Sequence, residues 1–236
     1  MLEITTALSL GLVLGAQHAL EADHMAAVSA LLSEQKGLAR ACLQGAFWGV
    51  GHTLAILSAA LVIVGFGFRI FPNAGIWLEL GVAAILIYLG GRVLLHSLRD
   101  VRIHRHRHAH DGHTHTHLHL HTDSLLAHQH VHLSGLHLSG AWARPLLVGL
   151  CHGLAGSGAL VLFITSSLSS RLAQLLFVLT FGLASSTMMF LVSFLIGIPF
   201  KAAARRSGAA RASLQGLAGI ASLALGLGLA MRLLAL

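Results

Sequence analysis

Apolar residues run along this chain in long blocks separated by short polar stretches. A helix needs about 20 residues to cross the hydrocarbon core of a bilayer. Six blocks reach that length, at residues 4–32, 42–67, 75–98, 145–168, 172–199 and 213–235. They predict six transmembrane helices, of which the first and fifth are long enough to tilt or to be interrupted. No block alternates as barrel strands do, so helices are expected to span. The connections are short except for residues 99–143. The expected fold class is an all-α integral membrane protein. A first three-helix unit covers 1–98, a polar loop 99–143, and a second three-helix unit 144–236.

Composition sharpens this picture. The chain has 236 residues, 56% hydrophobic and only 10% charged, with a mean hydropathy of +0.79. Soluble domains carry roughly a quarter charged residues. The N-terminus has neither a basic leader nor a small-residue cleavage site, and reads as a retained first span. Two cysteines, Cys42 and Cys151, imply no disulfide framework. Charge then sets orientation. Eleven of the fifteen Lys and Arg fall in the connections around 36–40, 99–107, 144 and 201–211. Three, Arg69, Arg171 and Arg232, fall on the opposite side, and Arg92 lies inside the third span. The basic loops are therefore expected in the cytosol, with both termini outside a multi-pass chain in the cytoplasmic membrane. That distribution accounts for the basic pI without nucleic-acid binding.

The two halves resemble each other. G-A-Q-H-A-L at 15–20 aligns with G-L-C-H-G-L at 149–154, which matches His18 with His152. W-G-V-G-H-T at 48–53 aligns with F-G-L-A-S-S at 181–186, and the third and sixth blocks match more loosely. Three spans is an odd number, so the second unit would cross the membrane upside down. An inverted 3 + 3 repeat of this kind places its site near the midplane, where the halves meet.

Candidate chemistry concentrates in the first block, where His18, Glu21, Asp23 and His24 interrupt an apolar run. Ionisable groups at membrane depth are costly and mark sites that bind or move something. Imidazole and carboxylate together suit nickel, cobalt or zinc. At about 100° per residue, a regular helix could not aim positions 18, 23 and 24 at one ion. Either the helix is distorted near Leu20–Asp23, or the three serve different partners. His52 and His152 lie some eight to ten residues into their spans, about 12–15 Å deep, near the depth of His24. Either could be a ligand or a hydrogen-bonded core residue. Ser185, Ser186 and Thr187 could line the site or bond between helices. Cys151 could be a soft ligand or a small buried hydrophobe.

Thirteen of the eighteen histidines lie in the long connection, between His104 and His137. Most recur at every second position: His104, His106, His108, His110, His113, His115, His117, His119 and His121. No spacing there matches a structural zinc site. The tract reads as low-complexity, disordered without metal, and able to chelate divalent ions as a local reservoir or sensor.

At H-A-L-E-A-D-H, followed by G-H-T in the next span, the sequence resembles the nickel/cobalt transporter family, marked by H-x4-D-H in a helix. It is most similar to the smaller six-span, urease-accessory (UreH-type) relatives, which share motifs like G-L-x-H-G-L-A-G-S, here Gly149 to Ser157. The resemblance implies His18, Asp23, His24 and His52 as metal-selecting residues. It also implies a cytosolic nickel chaperone or the urease or hydrogenase maturation machinery as partner. The chain departs from larger members in lacking two spans and in carrying F-G-L-A-S-S-T in place of an F-D-T-type segment. Related exporters carry histidine-rich loops, but their motif resembles H-G-L-E-P-G-H, where this chain has aspartate.

No phosphate-binding G-x-x-x-x-G-K-[ST] occurs, so ATP hydrolysis is not expected. An inside-negative potential favours influx of a divalent cation by about 2 × 2.3 kcal/mol per 100 mV. The reading is therefore non-enzymatic import of Ni²⁺, with Co²⁺ or Zn²⁺ as further candidates, at a site that also includes Glu21 and His152. Export on the same scaffold, or a membrane thiol carrier or metalloenzyme, are the alternatives. Against an intramembrane metalloprotease stands the absence of H-E-x-x-H.

Overall fold

The computed structural model describes residues 1–33, 35, 37–66, 74–110, 113–122, 142–155 and 158–235. Among them are eight helices: α1 (Leu2–His18), α2 (Ala22–Ser33), α3 (Leu38–Phe66), α4 (Ala74–Asp100), α5 (Ala143–Leu154), α6 (Gly158–Ser167), α7 (Arg171–Arg206) and α8 (Gly208–Leu234). Four are long and apolar enough to cross a membrane, over Leu38–Val62, Gly75–Leu98, Arg171–Arg206 and Gly208–Leu234. The protein is a multi-pass membrane protein. The remaining two expected spans are each divided, 4–32 into α1 and α2 and 145–168 into α5 and α6.

The first division falls within the apolar–ionic segment. Leu20 N–H bonds the Gln17 carbonyl at 3.0 Å and Glu21 N–H bonds that of His18 at 3.1 Å. Two successive bonds to the third residue back tighten the chain and change the direction in which later side chains leave it. The fifth block, long enough to tilt or to be interrupted, is uninterrupted: one 36-residue helix, about 54 Å long at 1.5 Å per residue. It overshoots a hydrocarbon core of about 30 Å and carries Lys201, Arg205 and Arg206 near its end. The fourth block yields two helices, one ending at Leu154 and the next beginning at Gly158.

Close packing holds the bundle together. The principal pairs are α1 with α7, α3 with α5, α3 with α7 and α4 with α8. Lipid supplies little drive to bring apolar helices together, so small residues and hydroxyls must do it. A Cβ on Gly15 would collide with the Phe181 carbonyl, and one on Gly149 with that of Trp48. Thr53 Oγ1 donates to the Gly182 carbonyl at 2.9 Å and lies 2.8 Å from Ser186 Oγ. Ser185 Oγ donates to the Gly15 carbonyl at 3.1 Å, and Ser222 Oγ to that of Leu86 at 2.9 Å. Thr187 bonds only its own helix, at the Leu183 carbonyl. Large apolar side chains such as Leu183 and Leu195 stay exposed on the outer face of α7, as lipid contact requires. Inside, one core gathers Trp48, Leu32, Leu86 and Met189, and a second gathers Ile56, Val161, Phe177 and Phe181.

The histidine tract also departs from expectation. Val101–His110 and His113–Thr122 form two antiparallel strands, β1 and β2, rather than a disordered string. Histidine at every second position is a period-2 pattern, which is that of a strand. In the sequence, Asp111-Gly112 separates the runs, and that dipeptide between alternating segments is a strong hairpin signal. The four histidines from His128 to His137 lie outside the described residues.

Candidate metal site

His18 ends α1, His24 stands in the first turn of α2, and His52 lies in the middle of α3. All three are buried, at 4%, 1% and 0% exposure. They come together: one ring nitrogen from each lies within 4.8 Å of the others. His18 Nε2 and His52 Nε2 are 3.0 Å apart, and ring centroids are separated by 4.4 Å (His18–His24) and 5.3 Å (His24–His52). A single straight helix could not bring His18 and His24 to this point. The tight turn at Ala19–Glu21 does so.

The carboxylates sit behind the imidazoles. Glu21 Oε1 is 3.0 Å from His18 Nδ1, and Asp23 Oδ1 is 3.0 Å from His24 Nδ1. Asp23 Oδ1 also accepts the His24 backbone N–H at 2.9 Å. A carboxylate on Nδ1 fixes the tautomer and leaves Nε2 as the donor for an ion, the arrangement usual around metal-bound histidine. Asp23 thus lies against the imidazole of its own neighbour in the chain. Glu21 (47% exposed) and Asp23 (29%) are also far more open than the imidazoles. Glu21, Asp23 and His24 form a second group with one ligand atom each within 4.8 Å, so His24 belongs to both.

Burying a polar nitrogen without a partner costs about 1–3 kcal/mol. Among the described residues, His24 Nε2 and His52 Nδ1 have no hydrogen-bond partner. An ion accepting nitrogen lone pairs would offset that cost. The 3.0 Å between His18 and His52 is a hydrogen bond as it stands. It is also close to the span of two nitrogens each about 2.1 Å from one ion at adjacent square-planar or octahedral corners. The residues present fit a borderline divalent cation.

His152, on α5, is buried with its ring centroid 5.3 Å from that of His24, outside the three-imidazole group. Cys151 beside it is exposed, which rules out the buried-hydrophobe reading. Two aromatic walls went unforeseen. Trp48 stacks on His24 at 5.2 Å and meets His152 edge-on at 5.6 Å, while Phe181 stacks on His18 at 5.5 Å. The signal was in the aligned motifs, where Trp48 and Phe181 hold the same first position.

A polytopic helical bundle with a buried cluster of imidazoles backed by carboxylates has the chemistry of a protein that handles divalent metal ions. Residues 4–141 match the NicO family, described as high-affinity nickel-transport protein. Over 209 residues the chain is 35% identical to the urease accessory protein UreH of Bacillus sp. (strain TB-90), covering 86% of this chain and 82% of that protein. No solved structure matches. The chain belongs to the NicO family of nickel transporters, and is not an enzyme.

Proposed function

We propose that this protein imports Ni²⁺, and less readily Co²⁺, across the cytoplasmic membrane without ATP. The convergence of buried His18, His24 and His52 carries this reading. The half-exposed carboxylates of Glu21 and Asp23 attract the hydrated ion, and His24, shared by both groups, hands it inward as water is shed onto neutral nitrogens. His152, its ring centroid 5.3 Å from that of His24, would receive the ion next. The excess of Lys and Arg around 36–40, 99–107 and 201–211 supports a cytosolic placement of those loops, with both termini outside.

The six-span inverted repeat, with units at 1–98 and 144–236, is supported by contacts that recur between aligned positions. Gly15 abuts Phe181 as Gly149 abuts Trp48. His18 lies against Phe181 as His152 lies against Trp48. Thr53 and Ser186, which align with each other, also touch each other, as residues on a twofold axis do. Alternating access by rocking one unit against the other suits such a plan. On the cytosolic side, the tract from His104 to His121 serves as a reservoir for delivered ions. The UreH relative is named a urease accessory protein, which supports urease maturation as the destination of the nickel.

The test is uptake of radioactive nickel by cells with and without the chain, beside His18→Ala, His24→Ala, His52→Ala and a variant lacking 104–137. Net accumulation lost in the three point variants and kept in the deletion is the expected result. Net loss of nickel on expression would make the protein an exporter.

A further inference from the structure

The hairpin register sets His104 opposite His119, His106 opposite His117, His108 opposite His115 and His110 opposite His113. The intervening positions pair Ile103, Arg105, Arg107 and Ala109 with Leu120, Leu118, Thr116 and Thr114. Over this stretch every histidine position faces another histidine position. Residues two apart share one face of a strand, so the four pairs form a single ladder. Directly opposed positions lie about 4.5–5.5 Å apart, and successive pairs on one face roughly 6.6 Å. Two successive pairs therefore frame a patch of about 5 by 7 Å holding four imidazole-bearing positions. Four nitrogens are a full set for a borderline divalent ion in square-planar or tetrahedral geometry.

We propose that the hairpin register builds two four-histidine sites for divalent cations of the nickel class. One comes from the 104/119 and 106/117 pairs, the other from the 108/115 and 110/113 pairs. This rests on reading the tract as a cytosolic reservoir, and adds that strand pairing, not the number of histidines, sets its affinity. A lone two-stranded hairpin is marginally stable in water. Ions that bridge the strands bind only the paired form and stabilise it by mass action. Filling and pairing are thus one event, and emptying loosens the ribbon.

The test keeps composition constant. Ni²⁺ is titrated into the purified full-length protein in detergent, against a competing chelator, beside a variant lacking 104–121. The full chain should hold about two more tightly bound ions than the deletion. A parity-shifted variant then exchanges neighbours in β2: His113→Thr with Thr114→His, His115→Thr with Thr116→His, His117→Leu with Leu118→His, and His119→Leu with Leu120→His. Its tract affinity should drop roughly tenfold or more, because the preorganised pairs are gone. Nickel-induced protection of strand amides from hydrogen exchange should vanish with it. A matching exchange in β1 (Ile103→His with His104→Ile, Arg105→His with His106→Arg, Arg107→His with His108→Arg, Ala109→His with His110→Ala) again sets histidine opposite histidine in all four pairs and should restore binding. Unchanged affinity in the β2 variant, or a loss that the β1 exchange does not rescue, overturns the register proposal and leaves the reservoir reading standing. If the wild-type chain holds no more nickel than the deletion, the reservoir reading itself fails.

Discussion

Among the described residues, two expected spans are each made of two helices, and the junctions differ in the side chains around them. α1 ends at His18 and α2 begins at Ala22, while α5 ends at Leu154 and α6 begins at Gly158. Both follow a matched G-x-x-H motif, and both motifs pack a glycine on a neighbouring backbone carbonyl. The first division carries Glu21, Asp23 and His24, whereas residues 155–158 are A-G-S-G. His52 in α3 likewise aligns with Ser185 in α7, whose hydroxyl only ties two helices together. On the proposed repeat, one half carries the candidate ligands at positions that the other half uses for packing. Scaffold and chemistry are therefore separable here, and substitutions should sort accordingly.

The largest contrast is expected between matched histidines. His18→Ala should abolish saturable nickel uptake, because it removes one of three converging nitrogens. His152→Ala, at the matched position outside the cluster, should lower the rate while leaving detectable transport; initial rates over a nickel series distinguish the two. Next come the carboxylates. Asp23→Asn, which keeps shape but weakens the hold on His24 Nδ1, should weaken nickel binding about 10–100-fold. Glu21→Gln should cost less, since Glu21 is the more exposed. Equal effects would mean that both act as direct ligands. Acid should depress uptake as well. Imidazole must be unprotonated to bind an ion, so apparent affinity falls as pH falls, steeply in wild type and more shallowly in variants with fewer cluster histidines. The smallest contrast should be structural. Gly15→Ala and Gly149→Ala each force a Cβ onto a backbone carbonyl, and both should lower thermal stability by a similar amount, about 1–3 kcal/mol. A large difference between them would break the equivalence of the two scaffolds.

Much of this was readable from residue order. Apolar block lengths foretold the long helices, and the angular conflict among positions 18, 23 and 24 foretold a distortion near Leu20. The contact of Asp23 with His24 Nδ1 was not readable, because it depends on how the chain continues after the turn at Ala19–Glu21. The division at 155–158 was hidden by the apolar composition on either side, although its glycines were in plain view. Polar histidine disguised the strands of the tract, where alternation and Asp111-Gly112 were better guides than polarity. Trp48 and Phe181 read as ordinary core, and only the folded chain sets them against the imidazoles.

The most direct test of a buried imidazole pocket for the cargo ion is X-ray absorption at the nickel edge. The sample is purified, nickel-loaded protein lacking residues 104–137, so that the tract contributes nothing. Three imidazole nitrogens at about 2.1 Å are expected, with one imidazole fewer in His52→Ala. An oxygen-only shell, unchanged by His52→Ala, would contradict the account.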